Sequence, residues 1–188
     1  MIKAIKNDKE LVINILSRSF ATNQSVNYIV RQDHKKKKRI AALMDYSFEL
    51  CSSFGDVWLS EDKQACALVL YPHRQRTTFA SILLDIRLIW QAIGLQNIRK
   101  AINREAQIKA KQTQDPMAYL WFIGVHPDFQ RQGKGSKLML ELIASARTDG
   151  TVFFLETSTR ENLAWYERFN FKVYDRLDLG YPLYFLKQ

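Results

Sequence analysis

The sequence predicts one α/β domain, a mixed central sheet of about six to seven strands flanked by helices. Three observations lead there. Short runs rich in β-branched and aromatic residues alternate with longer segments of helical period. The chain then closes on two strand-like runs with no helix between them. No internal repeat, low-complexity tract or linker divides the 188 residues, a length that suits one core.

In chain order, residues 3–6 read as the end of a short first strand. Asn7 or Asp8 can cap a helix to about residue 20, with Leu11, Val12, Ile15 and Leu16 on its apolar side. Residues 21–30 are polar and mixed, a loop or a short helical turn. A second helix is expected over residues 33–51. It contains His34-Lys-Lys-Lys-Lys-Arg39, a basic run that reads as a solvated helix end, a docking patch for an acidic partner, or a localisation signal. Residues 57–60 and 65–71 read as two strands joined by a turn at Glu61-Asp62-Lys63, and Pro72 ends the second. Residues 77–94 read as a helix with a broad apolar face of Ile82, Leu83, Ile86, Ile89, Trp90 and Ile93, stopped at Gly94. A more polar helix follows over residues 96–111, and Pro116 breaks what comes next.

The stretch from Tyr119 to Met139 organises the chain. It begins as an apolar run that reads as a buried strand, which His126-Pro127-Asp128 ends. Then come Gln130, Arg131, Gln132, Gly133, Lys134 and Gly135, and a helical pattern over residues 136–148 beginning at Ser136. A strand, a glycine-punctuated basic turn and a helix make an anion site. The N–H groups at a helix start are unpaired, the helix dipole adds partial positive charge, and glycine lets a phosphate approach the backbone. A Walker-type phosphate loop does not fit, since it needs a wider glycine spacing and a following Lys-Ser or Lys-Thr. A Rossmann fingerprint lacks its third glycine. The alternative is a tight turn with no ligand.

This segment resembles motif A of the GNAT N-acetyltransferase superfamily, with Gln130, Gly133 and Gly135 at the motif's fixed positions. A second signature lies downstream. Residues 152–158 read as a fifth strand after a turn at Gly150, and a short helix follows over residues 163–169. Asn162 and Tyr166 then match the family's Asn and Tyr, four residues apart and therefore on one helix face. Asn170 replaces the glycine usual before the last phenylalanine, and Asn tolerates positive φ. Residues 171–174 and 180–186 read as the final strands.

The resemblance covers residues 119–173 within a single domain of residues 1–188. It implies a sheet splayed between the fourth and fifth strands and acetyl-CoA as acetyl donor. It also implies transfer to a primary amine, small molecule or peptide, by direct attack in a ternary complex. The pyrophosphate falls to the loop from Gln130 to Ser136 and the pantetheine arm to Asn162. The acetyl carbonyl falls to the backbone of Ile123, Gly124 and Val125, with the Val125 N–H as oxyanion donor. Tyr166 is the expected general acid, its alternative being an aromatic core residue. Glu156 is the candidate general base, its alternative being a salt-bridged strand residue. His126 and Asp128, which follow the fourth strand, are further base candidates or only shape the turn. The inserted helical segment, residues 77–111, either shapes an acceptor pocket or covers a sheet face.

Composition narrows the remaining classes. A net charge of +9, from 28 Lys+Arg against 19 Asp+Glu, favours anionic partners, and a CoA ligand accounts for part of it. Nothing resembles a nucleic-acid reading motif, and no aromatics interleave the lysines, so nucleic acid is not an expected partner. A non-catalytic CoA-binding sensor and a basic nucleic-acid-binding domain are the two competing readings. Cys51 and Cys66 lack metal-like spacing and read as buried thiols, and no metal is expected. The amino terminus lacks a signal-peptide core, and the most apolar helical run is shorter than the ~20 residues that span a bilayer. The expectation is a soluble, cytoplasmic protein with no membrane partner. Oligomeric state is not legible.

Overall fold

The computed structural model describes residues 1–112, 117–148 and 151–188. The expected break at Pro116 and turn at Gly150 lie outside the described residues. In chain order the elements are β1 (Ile2–Lys3), α1 (Lys9–Ser19), α2 (Gln24–Ile29), α3 (Lys36–Phe54), β2 (Gly55–Leu59) and β3 (Ala65–Leu70). Then come α4 (Phe79–Leu88), α5 (Ile98–Lys111), β4 (Met117–Val125), α6 (Lys134–Thr148), β5 (Val152–Thr157), α7 (Leu163–Glu167), β6 (Lys172–Asp178) and β7 (Pro182–Lys187). One seven-stranded sheet has the order β1-β2-β3-β4-β5-β7-β6, so the expected mixed sheet between helices is the observed one.

β3 shows why the core has two sides. All six of its residues are buried, and successive side chains of a strand point to opposite faces. Cys66, Leu68 and Leu70 pack beneath α1 and α3 with Val12, Ile15, Leu16, Met44 and Phe48. Ala65, Ala67 and Val69 pack under α6 with Leu138, Met139, Leu142 and Ile143. Small alanines on that side let α6 sit close to the strands, which fixes the direction in which its N-terminus points. Both cysteines are buried in this core, and burial pushes their thiols up, away from reactivity.

Three local expectations differ from the fold. α3 starts later and ends later than the pattern indicates, because Asp33 does not enter the helix. Its carboxylate instead takes a bidentate pair from Arg39, at 2.9 Å from Nε and 2.6 Å from Nη2. Arg39 is therefore buried, whereas Lys35, Lys37 and Lys38 of the same run are solvated. β6 is longer than expected and exposed, an edge strand carrying Lys172, Asp175, Arg176 and Asp178. α4 does begin where Thr78 and Ser81 form a reciprocal capping box. Its apolar face is not a buried one, however. Ala92 and Ile93, in the wider π-type turn Ile89–Ile93 that ends the helix, are buried, while Ile82, Leu83, Ile86 and Trp90 face solvent. The helix is apolar nearly all round, and only one side meets the domain.

Candidate active site

Strands β4 and β5 part company midway. They pair in parallel only from Met117–Leu120 to Val152–Leu155. β4 continues to Val125 paired with β3 alone, and β5 continues through Glu156 and Thr157 paired with β7 alone. Between these diverging edges opens a cavity of about 920 Å³. Its lining includes Trp121, Phe122 and Ile123 from β4, Glu156 and Thr157 from β5, and Asn162 and Tyr166 from the α7 region.

At the β4 edge, His126 N–H donates to the carbonyl of Gln64, the residue before β3, at 2.8 Å. Strand alternation then turns the polar groups of Val125 to the other edge, away from β3. The Val125 carbonyl there accepts from Ser19 Oγ at 2.7 Å and from Gln130 Nε2 at 3.1 Å. Gly124 has a packing reason of its own: a Cβ would lie 3.0 Å from Leu16 Cδ2, so glycine lets α1 close on the strand. His126 Nε2 lies 2.8 Å from Arg18 Nη1. An arginine only donates, so this nitrogen accepts, and the ring braces the turn.

The loop that follows curls through two left-handed residues, Arg131 at φ 61° and Gly133 at φ 77°. Open space surrounds Gly133, whose missing Cβ would meet nothing within 4 Å. Gly135 is needed for a different reason, since a Cβ there would meet Val125 Cγ2 at 3.3 Å and Trp165 Cζ2 at 3.8 Å. The first backbone bond of α6 runs from Lys137 N–H to the Gly133 carbonyl at 2.9 Å. The N–H groups of Lys134, Gly135 and Ser136 therefore have no backbone partner among the described residues. Two side chains here are already committed. Lys134 Nζ bonds Asp62 of the β2–β3 turn at 2.5 Å, and this contact first, then Ser60, lowers the Asp62 carboxyl to about 2. Ser136 Oγ accepts from Trp165 Nε1 at 3.0 Å, tying α6 to α7. Gln132 makes no side-chain hydrogen bond among the described residues.

Asn162 precedes α7 without a side-chain capping bond, so its amide is open to the cavity. Tyr166, one turn on, is 6% exposed in an aromatic cluster with Trp165 and Phe171. Its hydroxyl makes no hydrogen bond among the described residues, and burial pushes the phenol well above its ordinary pKa. Asn170 ends this helical region at φ 65°, as its tolerance for positive φ predicts.

Glu156 is both a paired residue and a cavity residue. Its Oε1 accepts from Arg104 Nη2 at 3.0 Å, with the two side chains 9% and 8% exposed. Oε2 is buried and has no hydrogen-bond partner among the described residues. Burial raises the carboxyl, and the Arg104 guanidinium pulls it part of the way back. Arg104 also donates to Ser25 Oγ at 2.6 Å and Tyr181 Oη at 3.3 Å. The sequence reading did not single out Arg104, Ser25 or Tyr181. Arg104 had a signal: it stands three residues after Ala101 and four before the buried Ile108, on the inward stripe of α5, where a lone arginine must find a carboxylate. Among the described residues, no group of three or more His, Cys, Asp and Glu side chains is arranged to hold a metal.

This arrangement has known counterparts. Residues 102–171 match the model of the acetyltransferase (GNAT) family. The histone acetyltransferase HPA2 and related acetyltransferase of Corynebacterium glutamicum has a similar fold. It shares 16% identity at a TM-score of 0.68, over 99% of this chain and 93% of that one. Arylalkylamine N-acetyltransferase 2 of Aedes aegypti shares 15% identity at 0.66, over 100% and 96%. The C-terminal condensation domain of Ebony, in complex with beta-alanyl-dopamine, shares 8% identity at 0.70, over 100% and 96%. At such identities the likeness is one of fold. The family match is confined to residues 102–171, and over the rest of the chain the likeness to these solved structures is one of fold.

Proposed function

We propose that the protein transfers an acetyl group from acetyl-CoA to a primary amine by direct attack in a ternary complex. The observation that carries this reading is the parting of β4 and β5, with Tyr166 and Glu156 buried along one cavity beside a glycine-opened helix start. Three free N–H groups and the open space at Gly133 suit a pyrophosphate, and the dipole of α6 adds to them. The Ile123–Val125 edge offers strand-type hydrogen bonds to the pantetheine amides, and Asn162 reaches them from the facing side. Acetyl-CoA supplies the activated thioester.

The remaining roles belong to groups of this protein. The Val125 N–H stabilises the oxyanion. Glu156, whose Oε2 is left without a hydrogen-bond partner among the described residues and whose pKa burial raises, accepts the proton of the attacking nitrogen. Tyr166 keeps its proton at neutral pH and gives it to the departing thiolate. The far walls of the cavity, with Phe20, Leu43, Phe54, Ile89 and Ile93, favour an amine on an apolar body over a polyamine or a sugar.

A thiol-release assay with an amine panel, with products weighed by mass spectrometry, tests this. Phenylethylamine and its relatives should give N-acetyl products, and spermidine and aminoglycosides should be poor acceptors. Saturable acetyl-CoA binding without thiol release for any amine would replace the enzyme by a CoA sensor.

A further inference from the structure

The outer side of α4 is unpartnered. Phe79, Leu83, Ile86 and Trp90 recur at helical spacing and form one stripe, 95%, 67%, 47% and 66% exposed, with Ile82 beside it. The opposite side of the helix, at Ser81, Asp85, Leu88 and Ile89, lines the cavity, so the stripe points away from the catalytic groups. It is about 16 Å long at the helical rise per residue. Scattered exposed apolar residues need no explanation, but a contiguous ridge of this size marks an interaction surface.

Charge tells what kind of surface. Lys35 and Lys38 line one groove with Trp90 at the C-terminal end of the ridge. Arg74 and Arg76 are exposed just before its N-terminal end. Carboxylates nearby are already engaged: Asp33 by Arg39 and Arg31, Asp45 by Lys9 and Arg87, and Asp85 by the Tyr46 hydroxyl at 2.8 Å. An apolar ridge with tryptophan at its border and basic groups at both ends is the pattern of a helix lying in a lipid interface.

We propose that this face docks on an anionic membrane surface, with the stripe in the headgroup–acyl boundary and the lysines against lipid phosphates. A second copy fits less well, because a two-fold contact would set these lysines against their own copies in a chain of net charge +9. The sequence expectation of no membrane partner rested on spanning length. No single helix among the described residues is long and apolar enough to cross a membrane, but a helix lying flat does not need that length.

The test is co-sedimentation of the full chain with vesicles of phosphatidylcholine alone or mixed equally with phosphatidylglycerol, at low and high salt. The chain should bind the mixed vesicles, lose them in high salt and ignore phosphatidylcholine. Leu83→Glu with Trp90→Glu, and separately Lys35→Glu with Lys38→Glu, should each weaken binding at least about tenfold. Both pairs are surface changes, and unaltered melting temperatures verify the fold. Failure of the wild type to bind mixed vesicles at low salt overturns the proposal. So does undiminished binding by Leu83→Glu with Trp90→Glu, which would mean general charge attraction. A wild-type dimer that this variant converts to monomer, without vesicle binding, would instead assign the face to a second copy.

Discussion

Tyr166 and Glu156 sit in similar burial but face different demands. The phenol stays neutral when buried, and its hydroxyl makes no hydrogen bond among the described residues of the cavity that Tyr166 lines. Tyr166→Phe should therefore lower kcat by ~10²–10⁴-fold with acetyl-CoA affinity and melting temperature nearly unchanged. Normal turnover with reduced stability would make it a packing residue. In the proposed role the Glu156 carboxylate must be charged, so burial disfavours that form and Arg104 compensates. As Glu156 has a raised pKa, activity should fall as pH drops through a value above the ordinary carboxylate range. In Glu156→Gln that acid limb should vanish, measured against wild type on the same amine so that the amine's own titration cancels. An identical limb in both would assign it to another group. Removing Arg104 leaves a buried charge unpaired. Arg104→Leu should cost about 3–5 kcal/mol at neutral pH. A raised folded-state pKa means that this penalty grows as pH rises through it and shrinks as Glu156 takes up a proton. Urea unfolding that gives equal penalties at acid and neutral pH would contradict the pairing. Asn162 and Tyr166 were singled out through the resemblance, and both line the cavity, one helical turn apart. The Arg104–Glu156 contact was not, because the partners lie on elements whose docking no local pattern records.

Among elements, the β4–loop–α6 unit was the most legible, since glycine spacing, strand composition and helical period all agree there. The left-handed Arg131 was not, because arginine has no intrinsic preference for positive φ and only the loop's closure puts it there. The α4 and α5 insertion was legible as two helices but not in its orientation. Periodicity ranks faces by apolarity, and α4 is apolar nearly all round, so the pattern could not say which side would meet the domain. The inner sides of both helices line the cavity, with Ile89, Ile93, Ala101 and Ile102 among them, which favours the acceptor-pocket role over a plain cover. An acceptor amine added to the acetyl-CoA complex should slow amide hydrogen exchange within residues 77–111. Protection confined to residues 130–136 would leave the insertion a cover.

At the scale of the molecule, the order of elements and the mixed sheet follow from alternation and the closing pair of strands. The parting of β4 and β5 does not, because both are continuous apolar runs and nothing local marks where pairing stops. The splay was expected only through the resemblance. It is what turns a buried sheet into a binding cavity, by leaving strand edges unpaired in a place water and ligand can reach. In the proposed function acetyl-CoA enters there, with its pyrophosphate at Gly133. Calorimetric titration of acetyl-CoA into the wild type and into Gly133→Asp tests it most directly. The wild type should bind one equivalent saturably. The variant should melt cooperatively and bind at least about tenfold more weakly, through the charge placed against phosphate and the side chain forced into positive φ. No saturable binding by folded wild type, or equal affinity in a folded Gly133→Asp, would contradict it.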